Sequence, residues 1–108
     1  MLDETQMKKT LETIEQDVKN NNVILYMKGD KLQPMCGFSA RAIQILNSKE
    51  IEYETRNVLA DEYVRQGIKD FANWPTIPQL YIKGEFVGGC DIITEMNESG
   101  ELNTSLGI

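Results

Sequence analysis

The fold is decided by Val23-Ile24-Leu25-Tyr26-Met27, which is followed after a loop by Cys36-Gly37-Phe38-Ser39. The first stretch is continuously apolar, which is typical of a strand buried on both faces. The second opens residues 36–48, whose apolar spacing predicts a helix. A strand that leads into a helix places Cys36 where open α/β sheets bind their ligands. The inward-facing side chains of this helix are predicted to be Phe38, Ala42, Ile45 and Leu46.

The segments on both sides of this unit alternate between helical and strand patterns. Strands joined by a helical crossover are parallel, and strands joined by a two-residue turn such as Lys83-Gly84 are antiparallel. The sequence therefore predicts an α/β, thioredoxin-like fold, with a four-stranded mixed sheet flanked by helices. Strands are predicted over 23–27, 53–58, 80–82 and 85–87, and helices over roughly 4–20, 36–48, 91–98 and 101–106. One more helix is predicted to follow an N-cap at Asp61, with an apolar stripe of Val64, Ile68 and Phe71.

Length and composition indicate one ordinary globular domain. The chain has 108 residues, of which 41% are apolar and 26% charged, enough for a modest core. No apolar run approaches the ~20 residues of a membrane span, and the start, Met1-Leu2-Asp3-Glu4, is acidic rather than signal-like. Because the net charge is −6, nucleic acid and anionic membranes are poor partners. We therefore expect a cytoplasmic protein that binds neither nucleic acid nor membrane.

The two cysteines, Cys36 and Cys90, and the lack of histidine limit the possible chemistry. Without histidine, Ser-His-Asp and Cys-His catalysis and histidine-containing zinc sites are excluded. Two thiols cannot complete a four-thiolate metal site within one chain. A reactive or metal-binding thiol in a reduced compartment therefore fits better than a structural disulfide.

Cys36 lies in a C-x-x-C-like motif whose second sulfur is replaced by the hydroxyl of Ser39. The unpaired N–H groups and the dipole of a helix N-terminus favour a thiolate, and Lys28 at the end of the preceding strand adds a positive charge. The alternative is a buried cysteine that acts as a small apolar side chain, but Pro34 and Gly37 suit an exposed turn. Because Ser39 cannot form a disulfide, we expect the partner of Cys36 to come from outside the chain, as another thiol or a metal.

Two further motifs are expected to meet Cys36 in space. In Thr76-Ile77-Pro78 a proline follows a β-branched residue and leads into a strand, so the Ile77–Pro78 peptide bond is a candidate for the cis form. A cis bond would turn the Ile77 N–H toward a peptide-like ligand. The alternative is a proline that only marks the start of a strand.

The other motif is Gly88-Gly89-Cys90-Asp91, whose glycines let a ligand approach the backbone closely. Asp91 at a helix start caps that helix, holds an ammonium group, or does both. Three roles are open for Cys90: packing, a backbone contact, or a slow disulfide with Cys36.

Arg65 and Lys69 are four residues apart on the third helix and therefore share a face. Either they pair with Asp61 or Glu62 on a solvated face, or they clamp a carboxylate. A ligand with a carboxylate at one end, a thiol in the middle and an ammonium at the other end would use every group described so far. Glutathione is such a molecule.

From Val23 to Gly100 the sequence resembles the monothiol glutaredoxins. The resemblance implies a thioredoxin-like fold, a single glutaredoxin domain over 1–108, and a 2Fe–2S cluster shared between two subunits. Asp30-Lys31 departs from the family pattern, which often has a small residue and a proline there, and Ala72 stands where a serine is common. The matching blocks are Tyr26-Met27-Lys28-Gly29, Pro34-Met35-Cys36-Gly37-Phe38-Ser39, Asn73-Trp74-Pro75-Thr76-Ile77-Pro78-Gln79 and Gly84-Glu85-Phe86-Val87-Gly88-Gly89-Cys90-Asp91.

The resemblance also implies a role for each matching residue. Cys36 would be the catalytic thiol and the protein's ligand to iron. Ile77 would pair its backbone with the cysteinyl part of glutathione. Lys28, Arg65 and Lys69 would hold the glycine carboxylate end and set the field around the sulfur, and Cys90 and Asp91 would hold the γ-glutamyl end. The set of cofactor-binding residues is completed by Thr76, Pro78 and Gly89.

The number of thiolates supports a function in cluster handling, since a 2Fe–2S cluster takes four of them. Two chains supply two through Cys36, and two glutathiones supply the rest. The main hypothesis is carriage or transfer of the cluster by a glutathione-bridged homodimer, with BolA-like proteins and apo iron–sulfur proteins as further partners implied by the resemblance. The alternative is a glutathione-dependent thiol–disulfide oxidoreductase, with at most weak activity. A third hypothesis is a redox-inert interaction module.

Overall fold

A computed structural model of the chain describes residues 2–108 and contains one four-stranded sheet with helices on both faces. The order of elements is the one predicted from the sequence. The elements are α1 (Glu4–Asn20), β1 (Val23–Met27), α2 (Gly37–Asn47), β2 (Glu54–Asn57), α3 (Glu62–Ala72), β3 (Gln79–Ile82), β4 (Glu85–Gly88), α4 (Cys90–Ser99) and α5 (Glu101–Leu106). Within the described residues, no helix is long and apolar enough to cross a membrane.

The strands lie in the order β2-β1-β3-β4. β1 pairs in parallel with β2 and antiparallel with β3, and β3 pairs antiparallel with β4, which confirms the predicted mixed sheet. β1 is therefore an inner strand, and all five of its side chains are buried, as its unbroken apolar run predicted.

Alternate residues of β1 pack into two separate cores. Val23, Leu25 and Met27 face a cluster that includes side chains of α2, α4 and α5. Ile24 and Tyr26 face the other cluster, with side chains of α1 and α3. Because side chains alternate across a strand, one apolar run joins both layers of the domain.

Several predicted boundaries and orientations differ from the structure. β2 runs only over Glu54–Asn57, because its partner β1 pairs through Met27 and then ends. Cys36 and Ser48 cap α2 rather than lying within it, and α4 begins at Cys90. The predicted inward orientation of Phe38 is wrong: its side chain is 63% exposed, because it lies in the first turn of α2 at the wall of a surface pocket. Phe71 of the predicted α3 stripe is likewise 37% exposed.

The loop between β1 and α2 is held by its own polar groups. The Asp30 carboxylate accepts the N–H groups of Leu32 and Gln33, at 2.9 and 2.8 Å, which closes an Asx-type turn. Lys31 donates to the Tyr53 carbonyl and its Nζ lies 4.2 Å from the centroid of the Tyr53 ring. These two residues, which depart from the family pattern, therefore order the loop through side chains.

Gly29 starts this loop in a conformation that favours glycine, with φ of 89°. Its N–H donates to Asn57 Oδ1 at 3.0 Å, which ties the loop to the end of β2. A Cβ atom at this position would lie 2.4 Å from the Gln33 carbonyl oxygen and 2.7 Å from the Met35 nitrogen. The compact path of the loop toward Cys36 thus requires the absence of a side chain at residue 29.

Gly29→Ala is expected to destabilise the protein more than Gly84→Ala. Gly84 has a φ of 82° in the turn between β3 and β4, so alanine meets a left-handed penalty of about 1–2 kcal/mol at either position. At Gly84 no atom lies within 4 Å of the new methyl group, whereas at Gly29 it meets backbone atoms. We expect the total loss at Gly29 to be roughly 3 kcal/mol or more. Urea unfolding measures both, and equal losses would contradict this account of the loop.

Candidate functional site

Cys36 is the N-cap residue of α2 and follows the loop from β1. Its side chain is partly exposed, and its Sγ accepts the Ser39 N–H at 3.4 Å. The Ser39 Oγ lies 3.6 Å from the same sulfur. The predicted placement of a solvent-accessible thiol at a helix N-terminus is therefore confirmed, and the alternative of a fully buried cysteine is wrong.

The surroundings of Cys36 stabilise its anionic form. Partial burial raises the pKa of the thiol, but the backbone N–H and the hydroxyl of Ser39, the Phe38 N–H and the charge of Lys28 together outweigh it. The pKa of Cys36 is therefore below its ordinary value. Lys28 acts as predicted, although its contribution is smaller than that of the hydrogen bonds.

Ser39 has a structural role in the site that was not predicted from the sequence. Its hydroxyl stands where a second thiol would complete the motif, but the residue is also fully buried, and its Oγ accepts the Lys28 N–H at 3.1 Å and lies 3.6 Å from the Cys36 sulfur. It thus joins the end of β1 to the reactive group. Its position three residues after Cys36 could have predicted this role, since the third residue after an N-cap directs its N–H back toward the capping side chain.

A pocket of about 370 Å³ has in its wall Phe38 and Lys28, two residues that act on the Cys36 thiol, whereas Cys36 itself is not among the lining residues. The structure brings all nine predicted cofactor-binding residues into its wall, from four separate parts of the chain. They are Lys28, Arg65, Lys69, Thr76, Ile77, Pro78, Gly89, Cys90 and Asp91. The remaining lining residues, Phe38, Trp74, Pro75 and Ile92, were not predicted as binding residues. These four residues form an apolar part of the wall next to the polar groups. The pair Trp74-Pro75 in a turn could have indicated it from the sequence.

Charges of opposite sign enter the pocket from different elements. Arg65 and Lys69 come from α3 and Lys28 follows β1, whereas the single carboxylate among the lining residues, Asp91, comes from α4. The alternative ion pairs of Arg65 and Lys69 with Asp61 or Glu62 are not formed within residues 2–108. The Asp61 carboxylate instead caps α3, as predicted, by accepting the Tyr63 N–H at 2.8 Å.

Asp91 does not cap α4, so this predicted alternative is wrong. The N-cap is Gly89, which has no side chain, and Asp91 is the second residue of the helix and is exposed. Because its carboxylate is not used at the helix end, it is free to meet a cation in the pocket.

The turn before β3 presents main-chain groups to the pocket. The Ile77–Pro78 peptide bond is cis, as the motif suggested. The Ile77 side chain packs in the core cluster beneath α1 and α3. Among residues 2–108 its N–H donates to no other backbone group. A residue of the pocket wall therefore keeps a peptide N–H that no backbone group among residues 2–108 uses.

Cys90 is the first residue of α4 and lies in the pocket wall as a free, partly buried thiol. Cys36 is also free. In the part of the chain that the structure describes, no group of three or more histidine, cysteine, aspartate or glutamate side chains is arranged to hold a metal ion. A metal cluster bound at Cys36 would therefore need ligands from outside this chain.

Comparisons with known proteins agree with this site and fold. The glutaredoxin family model matches residues 23–87. A monothiol glutaredoxin of Porphyra purpurea is 55% identical over 97 residues, which cover 90% of this chain and 91% of that protein. The solution structure of a monomeric truncated mutant of 1-C-Grx1 from Trypanosoma brucei has a TM-score of 0.82 at 45% identity, over 89% of this chain and 87% of that one.

A crystal structure of a buckwheat glutaredoxin–glutathione complex shares the fold, with a TM-score of 0.88 at 23% identity over 98% of this chain and 94% of that one. The family model spans the chain from the start of β1 to residue 87, a range that includes Cys36 and the turn before β3. The chain therefore belongs to the glutaredoxin family, with a thioredoxin-like fold, and within that family to the monothiol glutaredoxins.

Proposed function

We propose that this protein carries a 2Fe–2S cluster, bound with glutathione between two copies of the chain, and transfers it to apo iron–sulfur proteins. The observation that carries the proposal is a single accessible sulfur with a lowered pKa beside a pocket with separated charges. An anionic sulfur is the form that binds iron. Here the cluster is cargo, and the chain's own groups hold it for a limited time.

Glutathione fits the order of groups in the pocket. Arg65 and Lys69 on α3 suit its glycine carboxylate, and Asp91 on α4 suits its γ-glutamyl ammonium group. The Ile77 N–H, which donates to no backbone group among residues 2–108, suits the main chain of its cysteinyl part, and this would leave the ligand's sulfur near Cys36. Lys28 adds a cation near both sulfurs, while Thr76, Pro78, Gly89 and Cys90 complete the wall.

The number of sulfur ligands that a cluster needs favours a complex with two copies of the chain. A 2Fe–2S cluster takes four thiolates, and Cys36 is the thiol that lies outside the pocket wall and is poised as an anion. Two chains and two glutathiones complete the set. Because glutathione is not covalently attached, it can leave with the cluster, which suits delivery. A BolA-like protein that supplies its own ligand would replace the second copy, and a reduced compartment such as the cytoplasm would keep both thiols free.

Cys36→Ser is expected to abolish cluster binding, because it removes the sole protein ligand to iron. Anaerobic reconstitution with iron, sulfide and glutathione should give a coloured dimer with the original chain and a colourless monomer with the variant. Visible absorption and size-exclusion chromatography measure this. A colourless product from the original chain under the same conditions would refute the proposal, and omission of glutathione is the control for its part as ligand.

Arg65→Gln is expected to weaken glutathione binding about tenfold, since it removes one charge-assisted hydrogen bond to a carboxylate. Arg41→Gln is the matched control, because Arg41 is an exposed arginine on α2 outside the pocket wall. Isothermal titration calorimetry with glutathione compares them. Equal losses in both variants would indicate a general effect of charge rather than a clamp.

A second candidate function is glutathione-dependent thiol transfer, which the lowered pKa of Cys36 favours. In this reaction the Cys36 thiolate attacks the glutathione sulfur of a protein–glutathione disulfide and releases the protein thiolate. A second glutathione thiolate then attacks the Cys36–glutathione disulfide, which releases oxidised glutathione and restores Cys36. Turnover equal to that of a dithiol glutaredoxin would favour this function. An ordinary thiol pKa without glutathione binding would point to an interaction module.

Ser39→Ala is expected to raise the pKa of Cys36, because it removes the hydroxyl that stabilises the thiolate. A lower pKa gives more thiolate at a given pH, so the variant should reach its half-maximal rate of iodoacetamide alkylation at a higher pH. Its limiting rate at high pH, where every thiol is ionised, should not fall and should rise slightly, because a thiolate of higher pKa is the stronger nucleophile. Ser48→Ala is the control, since Ser48 hydrogen-bonds Ile45 at the other end of α2. An unshifted profile for Ser39→Ala would contradict this account.

A further inference from the structure

Gln79, the first residue of β3, is a fully buried polar side chain just behind the pocket. Its Nε2 donates to two main-chain carbonyls, those of Trp74 and Thr76, each at 3.1 Å. Both carbonyls belong to the turn that forms one wall of the pocket. The Gln79 amide therefore donates both of its hydrogens to main-chain carbonyls of the same turn.

Tyr81, two residues further along β3, fixes the orientation of this amide. Its hydroxyl donates to Gln79 Oε1 at 3.0 Å, and its side chain is 2% exposed. Since the oxygen of the amide accepts from Tyr81, the nitrogen has to face the turn. Burial raises the pKa of Tyr81, which keeps its hydroxyl protonated and able to donate.

We propose that Gln79 and Tyr81 are positioning residues, which hold the turn from Trp74 to Ile77 in the conformation that binds glutathione. The inference rests on the proposed glutathione site. Neither side chain lines the pocket, so they act through the turn and not on the ligand. Buried amide and hydroxyl groups that lose a partner carry a full desolvation penalty, which makes other positions of the turn unfavourable.

The neighbouring Tyr26 provides a matched control within the same core. Its ring stands edge-on to that of Tyr81, with centroids 5.9 Å apart, and it is equally buried. Its hydroxyl has no hydrogen-bond partner among residues 2–108. A change from tyrosine to phenylalanine therefore removes a connecting hydroxyl at residue 81 and an unconnected one at residue 26.

Tyr81→Phe is expected to weaken the binding of S-methylglutathione about five- to tenfold, the usual effect of losing one neutral hydrogen bond in such a network. Tyr26→Phe should bind like the original chain. S-methylglutathione is the probe because it cannot form a disulfide with Cys36. Trp74 is the only tryptophan and lies in the pocket wall, so its fluorescence reports binding, and amide nitrogen relaxation at Thr76 and Ile77 reports the order of the turn directly.

Gln79→Glu adds a readout that depends on pH. A protonated carboxyl can still accept from Tyr81 and donate to one carbonyl, whereas an ionised one repels both carbonyls of the turn. In this variant the affinity for S-methylglutathione should fall as the pH rises through the titration of the buried carboxyl. The original chain should lack this step, and circular dichroism shows that the variant is folded across the range.

The failure of the inference differs from the failure of the proposed function. If the original chain does not bind S-methylglutathione, both the glutathione site and the inference fall. If it binds, but Tyr81→Phe equals Tyr26→Phe in affinity and in the order of Thr76 and Ile77, only the inference is overturned. A Gln79→Glu variant that is folded and shows no pH step in affinity would also overturn it.

Discussion

The hydrogen bonds around Ser39 are the interaction on which the rest of the site depends. Its buried hydroxyl accepts the Lys28 N–H where β1 ends, and its N–H donates to the Cys36 sulfur where α2 begins. The position of the sulfur is therefore set by the sheet and by the helix at once. The same contacts lower the pKa of the Cys36 thiol, so the groups that place the sulfur also favour its anionic form.

The charge of the whole chain and the charge of the pocket have opposite signs. The net charge is −6, which disfavours polyanionic partners, yet three cations line the pocket with a single carboxylate. Because the cations come from α3 and from the residue that follows β1, and the carboxylate comes from α4, the site favours a ligand that carries both signs at its two ends. A small zwitterionic thiol satisfies this layout, whereas a nucleic acid or an anionic membrane does not.

The scaffold could be predicted from local sequence patterns, and the composition of the pocket from local motifs together with the resemblance to monothiol glutaredoxins. The unbroken apolar run of β1, the Asp61 cap and the residue spacing on α3 all lead to the observed arrangement. The misses concern side-chain directions that depend on one-residue shifts or on distant partners. Phe38 faces the pocket because it lies in the first turn of α2, at the pocket wall, and Asp91 does not cap α4 because Gly89 occupies the N-cap position. The contacts of Gln79 appear only once the turn folds back over β3.

The hydroxyl at residue 39 also explains why this site depends on other molecules. A cysteine there would be a weaker hydrogen-bond donor and acceptor, and would be able to close a disulfide with Cys36. Serine supports the thiolate through its hydroxyl and its N–H and offers no sulfur in exchange. Cys36 therefore has a partly exposed sulfur with a lowered pKa, while Ser39 cannot form a disulfide with it. Such a thiolate can bond to a soft metal or to the sulfur of another molecule. The adjoining pocket determines which sulfur-containing molecule binds next to it.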